Sequence, residues 1–172
     1  KIAWRVPKYF YIGNAYCLHL FPKKTQLEAM LEKTWGDHIF PVCVFAPVEE
    51  KDLIKIEEIL KLLSDWCQNK CVKIELVIND WGMAGLIRKK YPNQFLLTLG
   101  CLLSKQRRDT RMNYVNRNDN EFSKEKSQID ATFYRQYLAK HFNITRVSFQ
   151  NSDIDKSFFT PDSMISMTLH FP

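Results

Sequence analysis

The feature that most constrains this chain is a pair of short apolar runs with an amphipathic stretch between them. Residues 39–45 (Ile-Phe-Pro-Val-Cys-Val-Phe) and 73–78 (Lys-Ile-Glu-Leu-Val-Ile) are rich in β-branched and aromatic side chains, and the first is closed by Pro47. Both read as strands. Between them, Leu53, Ile56, Ile59, Leu60 and Leu63 recur at spacings of three and four, preceded by Glu49, Glu50 and Asp52, whose charges suit a helix N-terminus. Strand, helix and buried strand make a βαβ unit, which requires parallel pairing and a right-handed crossover.

The alternation continues in both directions. A strand around 9–12 precedes a helix over 25–35. A helix over 83–90 leads to a strand over 94–99 that stops at Gly100, and a helix over 129–141 is followed by strands over 146–149 and 164–169. About six parallel strands alternating with helices are therefore expected in a single α/β domain covering 1–172. Residues 109–126, rich in Asn, Asp, Arg, Ser and Lys, form a long polar loop, either a mobile surface excursion or a lid over a site.

Periodicity leaves two architectures open, a barrel and a doubly wound sheet. No Gly-x-Gly-x-x-Gly follows the first strand, and only five glycines occur, so no dinucleotide fingerprint is present. A (β/α) TIM barrel needs eight strands and about 250 residues, so a partial barrel, incomplete at its C-terminus, is the expected form.

Composition narrows the setting. With 45% hydrophobic and 26% charged residues the chain is that of an ordinary globular protein, and no stretch reads as a membrane span or secretory signal, so a cytoplasmic location is expected. The five cysteines are odd in number and argue against a disulfide framework. Cys67 and Cys71 form one close pair, whereas a zinc site usually wants two. The net charge of +6 is dispersed over residues 23–24, 88–90 and 105–108; with Trp4, Tyr9 and Tyr11 it gives only an unspecific nucleic-acid signal, and a nucleic-acid partner is not expected.

In a parallel sheet, chemistry gathers at the C-terminal strand ends. That rule selects Asn14 and Cys17 after the first strand, Asn79, Asp80 and Trp81 after the third, Lys105, Arg107 and Arg108 after the fourth, Gln150 and Asn151 after the fifth, and His170 after the sixth. Asp80 either caps the next helix or joins Asn79 and Trp81 in a ligand wall. Lys105, Arg107 and Arg108 form either a solvated face or a grip for carboxylate or phosphate. His170 reads as a structural histidine or a catalytic base.

Three of these stretches carry a resemblance. Phe10-Tyr11-Ile12-Gly13-Asn14-Ala15-Tyr16-Cys17, Glu75-Leu76-Val77-Ile78-Asn79-Asp80-Trp81-Gly82 and Leu99-Gly100-Cys101-Leu102-Leu103-Ser104-Lys105-Gln106-Arg107-Arg108-Asp109 resemble the U32 peptidase (collagenase-like) family, most closely the branch of the ubiquinone-biosynthesis U and V proteins. The resemblance implies a barrel-like domain, and several members hold a four-iron, four-sulfur (4Fe-4S) cluster on four cysteines. Cys17 matches the first of them; the other three fall beyond the segment corresponding to residues 164–172, and Cys43, Cys67, Cys71 and Cys101 do not match them. The resemblance further implies an enzyme or enzyme subunit in an iron-sulfur-dependent, oxygen-independent hydroxylation or related redox modification; the strand-end rule supplies Asp80 and His170 as catalytic candidates. The alternative is a non-catalytic partner or scaffold whose barrel is completed by another chain or a second copy of itself. Peptide hydrolysis ranks below both, since neither a His-Glu-x-x-His motif nor a Gly-x-Ser-x-Gly elbow is present.

Overall fold

A computed structural model of the chain describes residues 8–104, 129, 132–150 and 165–170. Strands β1 (Tyr9–Gly13), β2 (Phe40–Phe45), β3 (Glu75–Ile78), β4 (Leu96–Leu99), β5 (Ile144–Gln150) and β6 (Ser166–His170) alternate with helices α1 (Lys24–Gly36), α2 (Leu53–Lys70), α3 (Trp81–Lys90) and α4 (Thr132–Phe142). The strands lie in chain order in one sheet, and every pairing is parallel. A doubly wound sheet reverses its order at a switch point. This one does not: it is singly wound and curls into a half-barrel.

The helices form where the apolar stripes stand. In α2, Ile56, Ile59, Leu60, Leu63 and Cys67 are buried, and Cys71 ends the helix in the left-handed conformation at φ 53°. The N-terminus of α1 is tied by the Lys23 amide donating to Gln26 Oε1 at 3.1 Å, and that of α3 by the Gly82 amide donating to Asp80 Oδ1 at 3.0 Å. Glu32 on α1 accepts from Trp66 Nε1 and from Lys70 Nζ on α2, both at 2.9 Å, fastening neighbouring helices on their outer side.

Successive strand residues point to opposite faces. One parity packs with the helices in a single cluster: Ile12, Cys43, Phe45, Leu76, Ile78, Leu97, Leu99, Val147 and Phe149 meet Leu27 and Leu31 of α1, Leu60 and Leu63 of α2, Met83 and Ile87 of α3 and Leu138 of α4. Side chains such as Phe45, Leu60 and Ile78 are fully buried, each worth about 1.5–3 kcal/mol of transfer free energy. Burial pushes the Cys43 and Cys67 thiols above their ordinary range, which keeps them protonated within this apolar layer.

The other parity forms the concave face, and much of it is polar: Tyr9, Tyr11, Glu75, Thr98, Arg146, Ser148, Ser166 and Thr168 stand there beside Val42, Val44 and Val77. Contacts across this face measure the curl. In a flat sheet β1 and β5, four strand spacings apart, would lie about 19 Å from one another. Instead the Arg146 guanidinium lies 5.4 Å from the centre of the Tyr9 ring, and Tyr11 hydrogen-bonds Thr168 on β6. Among the described residues, no helix is long and apolar enough to cross a membrane.

Candidate functional site

At the C-terminal strand ends, three loops are tied together. After β1 the chain turns at Gly13, whose φ of +105° suits glycine and whose absent side chain makes room for the Val44 carbonyl and the Phe21 ring. Asn14 Oδ1 then accepts from the amides of Tyr16 at 2.8 Å and Cys17 at 3.0 Å, fixing the turn from which Cys17 enters a short 3-10 helix, Leu18–Leu20. Cys17 itself is partly buried. The Tyr16 hydroxyl reaches across to Cys101 Sγ after β4, at 3.6 Å.

Asn79 is the joint beneath this mouth. It is 4% exposed, its Nδ2 donates to the Phe45 carbonyl at the end of β2 at 2.9 Å, and its Oδ1 accepts from the Leu102 amide after β4 at 3.2 Å. Gly100 is needed at the same place, because a Cβ there would drive into the Asn79 side chain. The Gly100 amide donates to the Ile78 carbonyl at 2.7 Å, and Ser104 Oγ closes the following turn on the Cys101 carbonyl at 3.0 Å. Asn79 thus holds the ends of β2, β3 and β4 at one level.

The residues selected from the sequence fall into distinct places. Asn14, Cys17, Asn79 and Asp80 do meet at the C-terminal end. Asp80 caps α3, which accounts for one of its carboxylate oxygens. Trp81 turns to the helix layer, its ring 5.4 Å from Phe142 of α4, beside Arg88, which lies over the same ring at 5.9 Å. Gln150 and His170 are the last residues of β5 and β6 and are paired in register. Lys105, Arg107, Arg108, Asn151 and the polar loop 109–126 lie outside the described residues. No group of three or more metal-ligating side chains stands together among the described residues, so these residues do not by themselves form a four-thiolate cluster cradle.

Two features escaped the strand-end rule. The Tyr16–Cys101 contact joins residues 85 apart in the chain, and the only local hint is that each immediately follows a strand-end turn. The second is the Glu75–Arg146 pair, with Arg146 Nη1 3.2 Å from Glu75 Oε2 and Thr98 Oγ1 donating to Glu75 Oε1 at 2.6 Å. Glu75 stands in an apolar run, but Arg146 lies among polar Thr145 and Ser148 on its strand, so nothing local pairs the two.

A cleft of about 330 Å³ lined by Cys67, Gln68, Cys71, Lys73, Asn93 and Gln94 opens at the other end of the sheet, before β3 and β4. That end of a barrel serves stability, and Gln94 is already engaged by Ser64. The arrangement defines a singly wound (β/α) half-barrel with a loop-built mouth. No family model, curated protein or solved structure matches the chain.

Proposed function

We propose that the chain is a U32-like enzyme or enzyme subunit in an iron-sulfur-dependent, oxygen-independent hydroxylation or related redox modification, with its ligand held at the C-terminal strand ends. One observation carries the reading. The described residues of the three stretches on which the resemblance rests, up to Ser104 in the third, meet at this mouth, joined by Asn79 to Leu102 and by Tyr16 to Cys101, with Cys17 at the same end. Asn14 and Asn79 serve as the frame that fixes the loops. Asp80 and His170 are the acid–base candidates. Lys105, Arg107, Arg108, Gln150 and Asn151 extend the ligand-binding set. Cys17 supplies one of four thiolates for a 4Fe-4S cluster, the other three coming from elsewhere; a bound cluster supplies electron transfer, and this chain's own contribution is to hold the Cys17 backbone through Asn14.

Anaerobic purification of the native assembly tests this. Iron and sulfide are expected with the wild-type chain and lost with Cys17→Ala at unchanged circular dichroism. Iron-free, colourless wild-type protein overturns it.

A second reading, a scaffold subunit completed by another chain or a second copy, is favoured by the aromatics on the edge strand: Tyr9, Phe10 and Tyr11 of β1 are each more than 40% exposed. Light scattering after size-exclusion chromatography checks it, and a well-behaved lone monomer argues against it.

A further inference from the structure

The concave face carries a side-chain network centred on Arg146, to which neither functional reading assigns a role. Arg146 projects from β5 and touches three other strands. Its Nη1 pairs with Glu75 on β3, its Nε donates to Ser166 Oγ on β6 at 3.3 Å, and its guanidinium lies over and hydrogen-bonds Tyr9 on β1. Each contact is anchored in turn. Glu75 is held by Thr98 on β4, and Ser166 Oγ donates to the Thr145 carbonyl on β5 at 3.1 Å. The interior of a (β/α) barrel is ordinarily filled by branched apolar side chains, whose packing needs a closed ring of strands. The six described strands do not themselves close such a ring, and the pairing of β4 with β5 is irregular, its register shifting between Leu97 and Thr98.

We infer that Arg146 is a clamp that sets the curl of the half-barrel, fixing the separation of its two edge strands, β1 and β6, by holding both from the inner face. The guanidinium suits this work because its planar fork offers donors in several directions at once, which a lysine ammonium on a flexible stem does not. Across the concave face β1 is held by the clamp and by Tyr11 on Thr168 of β6, whereas β2, β3 and β4 are each flanked by strands on both sides and packed on the helices. Losing Arg146 therefore frees the edges and leaves the centre.

Amide hydrogen exchange on the full chain reads this strand by strand. Arg146→Leu keeps much of the stem's apolar bulk and removes the fork. It is expected to speed exchange by about tenfold in Tyr9–Gly13 and Ser166–His170, while β2, β3 and β4 stay within about twofold of wild type. Tyr9→Leu, which breaks only the β1 contact, is expected to loosen β1 and leave β6 protected; it also serves where Arg146→Leu folds poorly. Arg146→Lys, which keeps the charge beside Glu75, is expected to restore the edges only in part. Equal acceleration in all strands, or unchanged protection of β1 and β6 in both leucine variants, overturns the clamp.

Discussion

The two faces of the sheet are built from the same strands and specified in opposite ways. On the helix side, Phe45, Leu76, Ile78, Leu97 and Leu99 pack into one apolar layer, where non-directional burial supplies the stability. On the concave side, Glu75, Thr98, Arg146 and Ser166 hold one another by directed bonds, flanked by half-exposed Tyr9 and Tyr11. Burial of one parity fixes the register, since a one-residue slip would turn every core side chain to the other face, but it is non-directional about curvature, which the fork bonded to three strands constrains. The lesson is a division of labour in which the helix-side layer makes the sheet stable and the inner network gives it one curvature.

The sharpest break in that contrast comes from the apolar side. Phe45→Ala removes a fully buried ring stacked on Phe21, with centroids 4.7 Å apart, and chemical denaturation should register a loss of about 3–5 kcal/mol. Next is Asn79→Ala, which leaves the Phe45 carbonyl and the Leu102 amide without this partner and should cost about 2–4 kcal/mol by the same measurement. Within the polar network, Thr98→Val removes one bond to Glu75 at nearly constant volume; a loss of about 1–2 kcal/mol is expected, and a neutral result would show the network to be dispensable.

pH separates the faces more gently. Burial raises the Cys43 and Cys67 thiols, and burial together with the nearby Glu75 carboxylate raises the Tyr11 phenol. Groups whose folded pKa is raised bind more protons in the folded than in the unfolded chain at alkaline pH, so stability falls as pH rises. The loss should begin above the ordinary thiol range, near 9, and steepen above the ordinary phenol value, 10.0; denaturant titrations across this range check it. Cys43→Ser should remove part of the first step and Tyr11→Phe part of the second. The smallest effect is expected at neutral pH under a thiol reagent: exposed Cys71 should be alkylated well before buried Cys43 and Cys67, as peptide mapping by mass spectrometry would resolve.

Most of the fold was legible locally. The 3–4 spacing of Ile56, Ile59, Leu60 and Leu63 marks α2, and the compact runs at 39–45 and 73–78 mark β2 and β3, because periodicity and side-chain type act over a few neighbours. Gly100 also marked a strand end, although its reason, contact with Asn79, appears only in three dimensions. Asn79 and Asp80 were found by the strand-end rule, yet the rule does not distinguish a residue that meets a ligand from one that ties backbone beneath the mouth or caps a helix. The clamp was not legible at all. Glu75 and Arg146 are separated by the whole of β4 and the chain that leads to β5, and it is the order of the strands in the sheet that sets them on one face within reach of each other.

The central claim, a sheet curled until its first strand faces its fifth, is tested most directly by a double-mutant cycle on Tyr9 and Arg146. Stabilities of wild type, Tyr9→Leu, Arg146→Leu and the double variant, measured by denaturant unfolding, should yield a coupling of about 1 kcal/mol from the ring–guanidinium contact. Strict additivity of the two substitutions would contradict the curled half-barrel, since residues about 19 Å apart in a flat sheet have no contact to lose.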